Sequence, residues 1–382
     1  MNMKELIRKL DIACRILYGQ KKKYLAEYLE CNKRSLEQID AGKPYVLCTY
    51  YFPSEIAAMY DAEFIYIERI VGIAVSCGFI KGKRNNVLPE TICSYHKALW
   101  ELIETGVLPR PSMIIALSYP CTDARILCEK LHELFHIPIF RMGTGKKEEL
   151  HACCNKLKQH FLLRQSVEET VSLTNQAMQL KKEIDKKRLE YPGIVSSDDI
   201  LKIFTIENMI GSRQAVRVLQ YLLEYIEDKE KIYSKEKKTF YFWMGLIPLY
   251  DNSMLSNLEK KYDCRFVYEE MWMFDNDYLQ ISSFYDELEN KIKNSLFYNL
   301  DKRIRQLINK VKEFQVGTVI NFSQAHCSFL PPQIKEIKQA MQKNDIQMYN
   351  LGADVVSGQF SRKKIEEIIE HGKERGYLCL IK

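Results

Sequence analysis

Apolar residues Leu6, Leu10, Ala13 and Leu17 recur at steps of four, three and four, which predicts a helical stripe over residues 3–30. A short apolar run, Tyr45–Thr49, then reads as a strand, followed by a turn at Pro53 and a helix from about Ser54. Residues 65–92 are less regular and carry Gly72, Gly78, Gly82 and a basic loop. Cys93 opens a helical pattern that Gly106 closes. Beyond it, Met113–Ser118 predicts a strand, Thr122–Phe135 a helix and Pro138–Arg141 a second strand. That order is a βαβ unit, and such units build parallel sheets with right-handed crossovers.

Residues 146–235 carry no strand signal. Val167, Val171, Thr174 and Met178 continue a helical stripe, the Tyr-Pro-Gly at 191–193 breaks it, and the Ser-Ser-Asp-Asp at 196–199 reads as a helix N-cap. Strands return at Thr239–Met244, Arg265–Tyr268, Thr318–Phe322 and 346–351, with helices predicted at Ser253–Tyr262, within 278–313, at Gln333–Asn344 and at Arg362–Gly376. The expected fold is α/β, with two Rossmann-like lobes built on parallel sheets, N-terminal helices and a helical connector. The expected boundaries are 1–40 for the N-terminal helices, 41–145 for the first lobe, 146–235 for the connector and 236–382 for the second lobe.

Composition narrows the function classes. No run of 18 apolar residues occurs, so no membrane-spanning helix is expected. Charged residues interrupt the first 23 positions, where a signal peptide needs an apolar segment, so a cytoplasmic location is expected. The net charge of +6 comes from 56 basic and 50 acidic residues. The basic runs at Lys21–Lys23, Lys181–Lys187 and Lys235–Lys238 sit beside acids, which reads as solvated helix faces rather than a nucleic-acid footprint.

The chain has 12 cysteines and no Cys-x-x-Cys pair, which excludes zinc ribbons, thioredoxin-like motifs and bacterial-type ferredoxin runs. Disulfides are not expected in the cytoplasm. Cys14, Cys31, Cys128, Cys264 and Cys379 read as small buried apolar residues.

Ligands of open parallel sheets gather outside the carboxyl ends of the strands. Cys121 and Cys327 each follow a predicted strand, and Cys93 starts a helix, where the helix dipole favours a thiolate. These three thiols are candidates to converge on a cleft between the lobes. Around them, Glu55 reads as a cleft acid or a plain first-turn charge, and His326 as a partner of a ligand or a plain loop residue. Ser94 and Ser328 are candidate donors to sulfur, Asp123 a helix cap and Arg362 a structural tie. Cys128 rivals Cys121. Cys48 and Cys77 are candidate extra ligands, and Cys153-Cys154 reads as a surface pair. Gly143-Thr-Gly145 falls short of a nucleotide-binding loop, and no Walker A motif occurs.

Five segments carry a resemblance: CTYYFPSEI at 48–56, LPETICSYHKAL at 88–99, SYPCTDARILCEKL at 118–131, INFSQAHCSF at 320–329 and SGQFSRKKIEEIIE at 357–370. In this order they resemble the 2-hydroxyacyl-CoA dehydratase and benzoyl-CoA reductase family of iron–sulfur proteins, in the manner of its D-component. The resemblance implies one [4Fe–4S] cluster between two lobes, held by Cys93, Cys121 and Cys327, with one iron left open. It implies an oxygen-sensitive enzyme that passes an electron to a CoA-thioester carbonyl, so that a ketyl radical anion expels a neighbouring hydroxyl. Implied partners are a homologous second subunit or a second copy in a dimer, a separate ATP-hydrolysing iron–sulfur activator, and the CoA thioester itself. Thr122 separates Cys121 from Asp123, which are adjacent in most of the family, and Ser-Gln-Ala-His stands where many members are glycine-rich. Within the same superfamily the alternative is a homodimeric reductase of small molecules with an [8Fe–9S] double cubane. Outside it, the alternative is a cluster-less accessory or binding protein.

Overall fold

A computed structural model of the 382-residue chain describes residues 2–80, 87–234, 238–274, 277–356 and 362–374. Among the described residues eight strands form: β1 (Tyr45–Cys48), β2 (Glu63–Tyr66), β3 (Met113–Leu117), β4 (Ile139–Met142), β5 (Thr239–Gly245), β6 (Cys264–Glu269), β7 (Thr318–Gln324) and β8 (Gln347–Ala353). They make two four-stranded sheets, ordered β2-β1-β3-β4 and β6-β5-β7-β8. Every pairing is parallel, as in Val46 against Phe64 and Met113, or Val319 against Phe242 and Met348. With helices between the strands, the chain is an α/β fold of two lobes.

The central strands β1, β3 and β5 are nearly unbroken apolar runs, β7 carries Asn321, Ser323 and Gln324 towards its end, and β1, β3 and β7 are buried along their whole length. Such runs suit parallel sheets, whose two faces are both covered by helices. One core spans both lobes, joining Ile114, Leu127 and Cys128 to Trp243, Leu258 and Phe322. At the end of β5, Gly245 adopts φ +77, and a Cβ there would collide with the Phe322 carbonyl oxygen. Only glycine allows the two central strands of the second sheet, β5 and β7, to lie so close at that point.

Several elements differ from expectation. The stripe over 3–30 is two packed helices, Met3–Gly19 and Lys23–Asp40, separated where Lys21 turns left-handed at φ +60. The less regular 65–92 region holds the last two residues of β2 and the helix Ile67–Ser76. That helix starts directly off the strand at Tyr66 with no turn residue, so the apolar run hides the change of period. Ser196 caps its helix by position only. Its hydroxyl meets Ser256, while Asp198 accepts the Leu255 and Ser256 N–H groups and Asp199 accepts the Tyr24 hydroxyl. Gly82, Lys235–Lys237, the Gly358-Gln359 pair, Gly376 and Cys379 lie outside the described residues.

Candidate functional site

In each sheet the strand order reverses once, between β1 and β3 and between β5 and β7. Crevices beyond the carboxyl ends at such switch points are where parallel sheets bind ligands. Here both sheets direct those ends at one cavity of about 130 Å³. Its wall takes Tyr50 from beyond β1, Cys121 from beyond β3, Leu246 from beyond β5, Met271 from beyond β6 and Cys327 from beyond β7.

Cys93, Cys121 and Cys327 all line this cavity. Cys93 is the N-cap of the helix Ser94–Glu104, and Cys121 is the N-cap of the helix Thr122–Phe135. The Cys121 sulfur accepts the Ala124 N–H at 3.4 Å, and the Cys327 sulfur accepts the Leu330 N–H at 3.3 Å. The helix-end position therefore supplies donors to sulfur, yet it does not set the charge. Burial dominates, pushing Cys121 up to about 12 and raising Cys93 and Cys327 as well. In the metal-free chain the thiols hold their protons at neutral pH, and a bound metal must displace them.

Asp123 was expected to cap its own helix, but Cys121 fills that position. Instead, the Asp123 carboxylate accepts the Cys93 N–H at 3.0 Å and the Ser328 hydroxyl at 3.4 Å. One side chain thereby ties the loops of all three cysteines. Ser94 accepts a hydrogen bond from Gln324 at 2.8 Å, a second link between the lobes. Ser94 and Ser328 are thus spent on cross-lobe bridges rather than on sulfur.

Three further groups in the cavity were not singled out from the sequence. His96 Nε2 lies 4.0 Å from the Cys121 sulfur, its Nδ1 has no partner among the described residues, and burial lowers its pKa to about 4. The Tyr95 hydroxyl is also buried without a partner. Glu68 lines the cavity with a buried Oε2 that has no partner among the described residues, and burial raises its pKa to about 7. The Cys-x-x-His spacing of Cys93 and His96 was a legible signal, since residues three apart share a helix face. Glu68 sits in the less regular segment, and nothing local marked it.

Other expected residues lie elsewhere. Glu55 is fully buried outside the thiol cavity, with Lys291 at 2.8 Å from Oε1 and no partner on Oε2. His326 is exposed in a left-handed turn at φ +62, and its side chain is not part of the cavity wall. Cys128 is buried in the shared core, and Cys48 in the core on the outer face of the first sheet. Cys77 lines a different cavity. Cys153 and Cys154 are not a surface pair. They form with Leu150 and Leu157 the apolar stripe of an otherwise polar helix, each about 1% exposed. The N–H groups of Gly143, Thr144, Gly145 and Lys146 converge on the Glu149 carboxylate, so the chain fills its own anion cradle. Arg362 donates to Asp251 at 2.6 Å and ties the last helix to the loop after β5.

The donor set suits a soft-ligand iron centre: three thiols from separate loops inside a mostly apolar wall. Among the described residues, no three His, Cys, Asp or Glu side chains stand close enough to hold a single metal ion. A multi-iron cluster takes one thiolate per iron, so its ligands need not meet at one point. No helix of the described residues is long and apolar enough to cross a membrane.

A sequence model of the 2-hydroxyglutaryl-CoA dehydratase D-component family matches residues 49–371. The chain belongs to that family. Among curated proteins, none matches it by sequence.

Proposed function

We propose that this family member is a component of a CoA-thioester dehydratase or reductase system, in which Cys93, Cys121 and Cys327 hold a [4Fe–4S] cluster. The observation that carries this reading is the meeting of three sequence-distant thiols in one cavity at both switch points. When bound, such a cluster supplies a low-potential electron for the thioester substrate. It would be recharged by a separate ATP-hydrolysing activator, with a homologous chain or a second copy as the partner subunit.

The chain's own residues prepare that chemistry. The apolar wall, with Leu117, Phe297, Phe329 and Leu330, limits water around the thiols, with Cys93 buried and Cys121 and Cys327 partly so. Asp123 fixes the register of the three loops through Cys93 and Ser328. His96 stays neutral beside Cys121, because burial penalises its charged form. Glu68 offers Oε2 as a place to hold or release a proton, the task for which a carboxyl tuned near neutrality is suited. Glu55 and His326 were expected to contribute catalytically, and they act at this cavity only if a partner subunit or substrate brings them to it.

Anaerobic reconstitution with iron and sulfide tests the reading. The wild-type chain should take up about four irons with the broad visible absorbance of a [4Fe–4S] centre. Cys327→Ser should lose most of that absorbance, and Cys128→Ser should keep it. Less than one iron per wild-type chain, or the reverse ranking of the two variants, overturns the proposal. About eight irons would favour the double cubane.

A further inference from the structure

A second cavity, of about 300 Å³, lies on the other side of Glu68. Its wall includes Leu10, Ala13 and Leu17 of the first helix, Tyr28 of the second, Gly72 of the helix after β2, and Leu249 of the second lobe. Glu68 and Phe204 line both this chamber and the thiol cavity, so the two spaces share a partition. The first two helices precede residues 49–371, so part of this wall lies outside the family match.

We infer that the chamber receives the uncharged hydrocarbon part of an acyl thioester, whose carbonyl end passes Glu68 towards the three thiols. The inference rests on the function proposed above and specifies its substrate class. Among the described residues, three carboxyl side chains line the chamber, Glu68, Asp198 and Asp251, against two cations, Arg69 and Lys202. Both cations are engaged. Arg69 donates to the Phe64 carbonyl at 2.9 Å and the Asn208 carbonyl at 3.5 Å, and Lys202 pairs with Asp199 at 3.3 Å. No Lys or Arg is among the described residues lining the thiol cavity. A dicarboxylic acyl group would enter this path with its second carboxylate stripped of water and uncompensated, which is strongly unfavourable. An alkyl or aryl group gains from the same wall.

Glu68 supplies the one polar contact the path needs. Its unpartnered Oε2 donates to a carbonyl oxygen when protonated, and accepts from a hydroxyl when ionised. Gly72 leaves the chamber open, since a Cβ built there would meet only Leu249 Cδ2, at 3.9 Å. A larger side chain at this helical position grows into the space.

Calorimetric titration of the full chain, loaded anaerobically with iron and sulfide, provides the test, with hexanoyl-CoA, glutaryl-CoA and free CoA as probes. Hexanoyl-CoA should bind about tenfold or more tighter than glutaryl-CoA. Gly72→Phe and Ala13→Phe, on two different helices, should each erase that preference, and Gly72→Ala should retain it. Melting curves show which variants fold, and either Phe variant alone suffices. Equal affinity for the two thioesters, no thioester binding, or a preference that survives the Phe substitutions overturns the inference. A chain that loads iron without the preference loses the chamber alone. A chain with the preference but without iron loses the cluster.

Discussion

Two carboxyl groups occupy matching places in the two lobes and meet opposite fates. Glu68 follows β2 and Glu270 follows β6, the corresponding edge strands of sheets with the same order. Glu270 is held by Arg303 in two hydrogen bonds, at 2.7 and 3.0 Å, and accepts the Gly245 N–H at 3.0 Å. Its neighbour Glu269 is paired with Arg188 at 2.8 Å. Beside Glu68 stands Arg69, whose guanidinium is turned onto backbone carbonyls instead, leaving Oε2 without a partner. At Glu270 the buried charge is neutralised and serves architecture. At Glu68 it is left uncompensated at the edge of a cavity that also holds an imidazole nitrogen and a phenol with no partner among the described residues. Fully paired buried polar groups rigidify a fold, whereas unpaired ones carry a standing cost, which makes them candidates for a functional role.

The largest expected effect comes from breaking the paired side. Arg303→Met strands Glu270 as a buried charge and should cost about 3–5 kcal/mol in urea unfolding, while Arg303→Met with Glu270→Met should recover most of the loss. Full stability in the single variant would show that water, not the arginine, satisfies Glu270.

The unpaired side should respond with the opposite sign. Burial raises Glu68 above its ordinary value to about 7, so the native state binds its proton more tightly than the unfolded chain does. Stability from this group is present below its unfolded value and falls as pH rises towards 7. Glu68→Gln should therefore stabilise the metal-free protein by roughly 1–3 kcal/mol at pH 8 and change little at pH 4. A loss of stability at pH 8 would mean that Glu68 has a partner after all.

A smaller effect is expected where the lobes are tied. Asp123→Ala removes the acceptor of the Cys93 N–H and the Ser328 hydroxyl and should cost about 1–2 kcal/mol. It should also lower iron uptake in the reconstitution assay, which a purely structural hydrogen bond elsewhere would not. Ser94→Ala, which breaks only the Gln324 bridge, gives the comparison.

Much of this architecture was legible along the chain. The helix Thr122–Phe135 and its flanking strands stood out because apolar period and turn residues agreed there. Cys121 and Cys327 could be singled out because each follows a strand, and Cys93 because it opens a helix. Glu68 could not, because β2 passes into its helix without a turn residue, and a single carboxylate in an apolar run has no local signature. Cys153 and Cys154 misled for the converse reason: the polar side of their helix outnumbers the narrow stripe on which they lie.

The sequence by itself determined the alternation of strands and helices, the parallel sheets that follow from it, and the thiols at the strand ends, since period, turn chemistry and chain connectivity are local properties. The tertiary structure alone decided which groups face one another: that Asp123 answers Cys93 and Ser328, that Arg303 neutralises Glu270, and that Glu68 is left between two cavities. Pairing and burial depend on elements far apart in the chain, and the dielectric and hydrogen-bond partners that set a side chain's charge exist only once those elements have packed.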